Sequence, residues 1–193
     1  MIAANRFVYW MNAVRLHTGE QQYRILESFW ESQITSKIWL INAIKSLNIP
    51  FDSVYIFGGW FGVLGGLLLD QYNVNVYSID IDKEVANIGQ QMNPDVVFFT
   101  SDMKDFLYPT TPNLIINTST EHITQETYNQ WLQNIPTGAL VILQGNDLYS
   151  CVEHIRCTKS LEEFNEHNPL NRILYTGSLN CKTFTRWMTI GYK

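Results

Sequence analysis

The amino-acid sequence predicts an α/β fold: a doubly wound, mostly parallel sheet with an antiparallel hairpin at its carboxyl end and a helical extension at its amino end. Three observations carry this expectation. Short apolar runs at 53–57, 75–79, 96–100, 113–117 and 139–144 are each bounded by glycine or polar punctuation. Helix-length stretches at 62–71, 83–92 and 124–134 lie between them, so strand and helix alternate as βαβ units. The runs are rich in Val, Ile, Leu and Phe without alternation, as befits strands covered on both faces.

Before the first run, apolar residues between Asn5 and Leu47 recur at three- and four-residue steps, which reads as two or three helices. His17-Thr18-Gly19 is a turn within them. Asn48-Ile49-Pro50 closes the last, because the residue before proline is biased away from helical geometry. Past the fifth run, 147–168 reads as a loop followed by a helix that begins near Ser160, where Ser160 and Glu163 make a capping box. The segments 171–179 and 183–192, joined through Asn180-Cys181-Lys182, read as the hairpin. At 193 residues the chain suits one domain, with 1–47 as the helical extension and 48–193 as the core.

Composition narrows the function. A formal net charge of −5 offers no strong basic field for a phosphate backbone, so duplex nucleic acid is a disfavoured partner. The longest apolar run, 60–69, contains three glycines and is about half the length of a bilayer span, so no membrane segment is expected. The amino terminus does not read as a signal peptide, and three cysteines without a CxxC pair do not make a secreted disulfide framework. A reducing cytoplasm is the expected location.

Chemistry is expected where strands end. Gly58, Gly59, Trp60, Phe61 and Gly62 follow the first run, and glycines there let the backbone turn out of a strand, approach a ligand and present the next helix's free N–H groups. Asp80 ends the second run 21 residues beyond Gly59, the separation at which a carboxylate accepts hydrogen bonds from both hydroxyls of a ribose. Asp82 is better placed than Asp80 to cap the following helix. After the third run, Asp102 and Met103 suit an adenine, the carboxylate accepting from the exocyclic amine and the next N–H donating to a ring nitrogen; Asp102 as a helix cap is the alternative.

The polar run Asn117-Thr118-Ser119-Thr120-Glu121-His122 follows the fourth strand. Glu121 or His122 is a candidate general base, the alternative being that both begin the next helix on its solvent face. His154 is a further candidate for a substrate pocket. The spacing Cys151, His154, Cys157, with Cys181 as a fourth ligand, invites zinc, but structural zinc sites use tighter paired knuckles and no metal is expected.

Taken together, the glycine loop, Asp80, Asp102, the fourth run, Pro136-Thr137-Gly138 before the fifth and the closing hairpin resemble a class I S-adenosylmethionine-dependent methyltransferase. The resemblance spans about residues 36–193 and is nearest to the small phage and bacterial members. It implies a Rossmann-like seven-strand sheet with a reversed last strand and S-adenosyl-L-methionine as cofactor. Cofactor contacts are then expected from Gly58, Gly59, Trp60, Gly62, Asp80, Ile81, Asp102, Met103 and Asn117, and catalytic roles from Glu121, His122 and His154. Phe57 stands where the family carries an acidic residue, and Phe61 where it carries the loop's middle glycine. The (N/D)PP(Y/F) tetrapeptide of base-amine methylation is absent, so a small-molecule substrate is expected. The amino-terminal helices are candidates for a substrate lid or a homodimer surface. Two rival readings remain: an NAD-binding oxidoreductase, disfavoured because the loop breaks the G-x-G-x-x-G register, and a catalytically degenerate methyltransferase-like binding module.

Overall fold

The computed structural model describes residues 3–193. Seven strands form one mixed sheet in the order β3-β2-β1-β4-β5-β7-β6. They are β1 (Ser53–Phe57), β2 (Asn75–Asp80), β3 (Val97–Thr100), β4 (Leu114–Asn117), β5 (Leu140–Asn146), β6 (Arg172–Asn180) and β7 (Thr185–Tyr192). Seven α-helices accompany them: α1 (Ala4–Leu16), α2 (Gly19–Glu27), α3 (Glu31–Leu47), α4 (Val63–Leu69), α5 (Lys83–Met92), α6 (Gln125–Asn134) and α7 (Leu161–His167). The chain clusters into two compact units, residues 1–102 and 103–193.

In the first unit β1, β2 and β3 pair in parallel, with Tyr55 opposite Tyr77 and Tyr77 opposite Val97. All five residues of β1 are buried, whereas β3, at the sheet margin, is only partly covered. That contrast follows from position, since a strand inside a parallel sheet has no solvent face. Helix α5 starts where Asp82 accepts from the backbone N–H groups of Glu84 (2.9 Å) and Val85 (3.4 Å), the cap read from the sequence. The amino-terminal segment comprises three helices of this unit. The third ends with Asn48 in a left-handed conformation (φ 49°), two residues before Pro50.

Helix α1 packs against α5 and is fastened there by buried polar groups. Arg6 Nε donates to Asp70 Oδ1 at 2.9 Å, and both side chains are almost fully buried. Arg6 Nη1 and Trp10 Nε1 each donate to Asn93 Oδ1 at 3.1 Å. Asn93 Nδ2 in turn donates to the carbonyl of Phe61 at 2.9 Å, which links α1 to the glycine loop. A methyl group on Gly66 would lie 2.2 Å from Asn93 Oδ1, so this position admits only glycine if the link is to form.

In the second unit β4 and β5 are parallel and fully buried, and β7 pairs antiparallel with both β5 and β6. Helix α7 begins as read, with Ser160 accepting from Glu163 N at 3.2 Å. Glu163 returns its carboxylate to Lys159 N (2.7 Å), one residue before the cap. Thr124 caps α6 by accepting from Thr127 N at 3.1 Å. No described helix is long and apolar enough to cross a membrane.

Replacing Asp70 by Ala leaves the Arg6 guanidinium buried without its carboxylate, and about 3–5 kcal/mol of stability is expected to be lost. Urea denaturation of the two proteins measures this; a loss below about 1 kcal/mol would show that the pair is not a fastening.

Candidate functional site

Two polar constellations stand at strand ends, one in each unit. In the first, the chain leaves β1 through Gly58 (φ 60°), Trp60 (φ 49°) and Gly62 (φ 74°), all left-handed. For Trp60 this is an uncommon and strained state, of a kind that persists where surrounding contacts over-determine it. The contacts here are on β2. Trp60 N donates to Asp80 Oδ2 at 3.0 Å and Gly59 N to the carbonyl of Ile79 at 3.3 Å. Gly59 also lies so close to β2 that a Cβ would meet Ser78 Oγ at 2.1 Å.

Asp80 receives a second amide, Asp82 N to Oδ1 at 3.1 Å, and the Ile81 amide acts on it too, so part of the carboxylate's acceptor capacity of about four lone-pair sites stays open. Burial pushes its pKa above the ordinary carboxylate value; the amides of Asp82 and Trp60 pull it back, and the charge of Asp82 adds to the rise. Ile81, next in sequence, is 71% exposed, an apolar side chain at the strand end with no core to enter. Asp102 follows β3 and precedes a single 3₁₀ turn, Met103–Asp105. Phe57 and Phe61 are buried at 0% and 1% exposure. Both are core side chains, and neither supplies a polar group.

The second constellation lies beyond β4. Asn117 is buried and its amide is committed locally: Oδ1 accepts from Ser119 N at 3.0 Å and Nδ2 points at Met103 Sδ at 3.8 Å. The 3₁₀ turn Thr120–His122 then splits two neighbours, with Glu121 buried at 2% exposure and His122 exposed. The reading of Glu121 as a solvent-face helix residue is therefore corrected. The turn precedes α6 and rolls Glu121 inward, where Asn146 Nδ2 donates to Oε1 and Arg186 Nη1 stands 3.7 Å from the same oxygen. Oε2 has no partner.

His154 completes this group. Its ring is perpendicular to that of His122, with centres 4.6 Å apart, and donor atoms of Glu121, His122 and His154 all lie within 4.8 Å of one another. His154 Nδ1 is buried without a partner. Burial lowers the pKa of His154, against the pull of the Glu121 carboxylate. Of the cysteines, Cys157 turns its thiol to Asn146 Oδ1 (3.7 Å) and Cys181 to the carbonyl of Leu179 (3.8 Å). Burial, with the Glu121, Asp147 and Cys151 charges, pushes Cys157 up to about 11, which disfavours a thiolate.

The sequence-predicted residues are thus sorted by the fold. Trp60 meets Asp80, Met103 meets Asn117, and Glu121, His122 and His154 converge. Sequence reading missed Arg156 and Arg186. Arg156 pins the turn that carries Glu121: its backbone N–H donates to Glu121 O (3.0 Å), Nε to Thr120 O (3.1 Å), Nη1 to Gln125 Oε1 (2.9 Å) and Nη2 to Asn168 Oδ1 (2.9 Å). Its guanidinium covers the Tyr128 ring at 4.3 Å. Arg186 lies in β7, 65 residues past Glu121, and no local pattern marks it.

No family model matches the chain, and no curated relative matches its sequence. Solved structures share the fold. An N-methyltransferase, NodS from Bradyrhizobium japonicum WM9 in complex with S-adenosyl-L-homocysteine, superposes with a TM-score of 0.69 at 8% identity, covering 96% of this chain and 98% of that one. Magnesium protoporphyrin IX methyltransferase (ChlM) from Synechocystis PCC 6803 with bound S-adenosyl-L-homocysteine gives 0.67 at 15% identity, with 98% and 95% covered. The plantazolicin methyltransferase BpumL, in complex with a pentazolic analog and S-adenosyl-L-homocysteine, gives 0.63 at 11%, with 98% of each chain covered. The fold is that of class I S-adenosylmethionine-dependent methyltransferases.

Two outcomes test these constellations. Because the folded-state pKa of Asp80 is raised, its ionisation costs stability as pH rises through the carboxylate range. The unfolding midpoint of the wild type should therefore fall relative to Asp80→Asn as pH rises above the ordinary carboxylate pKa of about 3.9; a rise would contradict the burial of this carboxylate. Arg156→Ala strips four side-chain hydrogen bonds and the ring contact, and should cost about 3 kcal/mol in urea denaturation.

Proposed function

We propose that the chain is a methyltransferase that uses S-adenosyl-L-methionine, acting as a single domain over residues 1–193 on a small-molecule substrate. The observation that carries this reading is Asp80. Its two oxygens are oriented by backbone amides from the glycine loop and from the start of α5, yet the carboxylate retains acceptor capacity. A fixed carboxylate with spare lone pairs suits a vicinal diol, which presents two donors side by side.

The remaining residues fit around it. Gly58, Gly59, Trp60 and Gly62 keep the loop backbone next to β2, with Gly59 N and Trp60 N already turned to that strand. Exposed Ile81 offers an apolar face for a purine ring, and Asp102 with Met103 accepts and donates at its edge. Asn117 acts in this scheme through its fold, holding Ser119 N and facing Met103. The core placement of Phe57 and Phe61 leaves the amino-acid end of the cofactor to backbone groups.

Gly58, Gly59, Trp60, Gly62 and Asp80 would hold S-adenosyl-L-methionine, and it would supply the methyl group passed to a substrate's nucleophilic atom. The chain's task is then alignment and the removal of one proton. Glu121, His122 and His154 serve that side of the reaction, with Glu121 or His122 as the acceptor. The neighbouring magnesium protoporphyrin IX methyltransferase and the plantazolicin methyltransferase in complex with a pentazolic analog support a small molecule.

A second reading, a degenerate methyltransferase-like binding module, draws on the buried Phe57 and Phe61. Calorimetry decides between the two. The wild-type chain should bind S-adenosyl-L-homocysteine, and Asp80→Ala should weaken binding on the order of 100-fold, the loss of two charge-assisted hydrogen bonds. Unchanged affinity in Asp80→Ala would displace the site. Failure of the wild type to bind would favour the module, and stronger thermal stabilisation by NAD would favour an oxidoreductase.

A further inference from the structure

We propose that Glu121, His122 and His154 form a binding site for a divalent transition-metal ion, with one carboxylate oxygen and two imidazole nitrogens as ligands. The sequence expects no metal here, because its only metal-like spacing involves the cysteines. Folding groups the residues otherwise: Cys157 and Cys181 turn their thiols to Asn146 and Leu179, and His154 joins Glu121 and His122 of the turn after β4.

Geometry and unmet bonding point the same way. Glu121 is 2% exposed, its Oε1 is taken by Asn146 and approached by Arg186, and its Oε2 has no partner. A buried acceptor left bare costs free energy unless something occupies it. His154 Nδ1 is likewise buried and unpartnered, and its ring stands beside that of His122. Donors around a tetrahedral ion at about 2.1 Å stand roughly 3.4 Å apart. The present separations, none above 4.8 Å, are within reach of that spacing.

Two imidazoles and one carboxylate are the donor set of open sites in which a further position takes water or substrate. Arg186 offsets part of the carboxylate charge. The site should therefore select ions that bind imidazole well, such as Zn²⁺, Co²⁺ or Ni²⁺, over Mg²⁺ and Ca²⁺, which need oxygen ligands. An ion held there would bind the donor atom of a substrate and lower its pKa, a role that replaces proton acceptance by Glu121 or His122. The inference goes beyond the methyltransferase reading, which stands on Asp80.

The full chain, stripped with a chelator, is titrated with Co²⁺ while calorimetry and visible absorption are recorded. One equivalent should bind, with the d–d bands of a four- or five-coordinate ion, and Mg²⁺ should not compete. His122→Ala and His154→Ala should each weaken binding about tenfold or more, whereas the triple variant Cys151→Ser, Cys157→Ser, Cys181→Ser should keep it. His122 is exposed, so its removal tests the ligand without threatening the fold. Absent Co²⁺ binding, wild-type affinity in both histidine variants, or loss of binding in the cysteine variant would each overturn the site. S-adenosyl-L-homocysteine binding is measured in parallel. If that binding fails while Co²⁺ binds, the methyltransferase reading falls and the metal site stands; the reverse result overturns the metal site alone.

Discussion

The carboxamide of Asn93 is the interaction on which the first unit depends. This side chain is fully buried, and its backbone and side chain are both engaged. Oδ1 accepts from Arg6 and Trp10 of α1, Nδ2 donates to Phe61 O, the backbone N–H donates to Gly89 O, and the carbonyl accepts from Val96 N. One residue thus joins the first helix, the loop after β1, the end of α5 and the entry to β3. A buried amide with every group paired specifies one arrangement, because any slip leaves a donor or acceptor bare in a low-dielectric interior. The loop conformation that brings Trp60 N to Asp80 is held at its far end by this amide.

A similar economy governs the turn after β4. Glu121 is an ionisable group in the core, and burial of a carboxylate is costly unless it is hydrogen-bonded or paired. Asn146 and Arg186 meet that need at one oxygen, and Arg156 holds the backbone that carries it. The result is a carboxylate fixed on one side and open on the other. Its imidazole neighbours grade outward from half-buried His154 to exposed His122, so the group runs from core to surface. Polar residues in such a place are expensive for stability, which is why they point to chemistry or ligand binding.

Much of the architecture was legible because its causes are local. Runs of β-branched and aromatic residues reproduced β1 without error and the other strands to within one or two residues. Asp82 and Ser160 were readable as caps since a side-chain oxygen reaches an N–H two or three residues ahead. Asp80 could be singled out because a strand end and a fixed distance from Gly59 are both properties of order along the chain. Asn93, Arg156 and Arg186 could not. An isolated Asn before Pro94, an Arg in a loop and an Arg in an edge-ward strand have no period and no motif; their importance comes from partners up to 87 residues away.

What the sequence by itself determined is therefore the list and order of elements, the mostly parallel sheet with its closing hairpin, and the strand ends at which polar residues gather. Those follow from hydrophobic period, turn chemistry and capping, which act within a few residues. Only the tertiary structure decided which polar groups meet: that Glu121 turns inward and His122 outward, that the His154 side chain joins them, that Phe57 and Phe61 belong to the core, and that Asn93 ties α1 to the glycine loop. Those outcomes depend on burial and on pairing across long separations, where each buried polar atom must find its partner in space rather than in the chain.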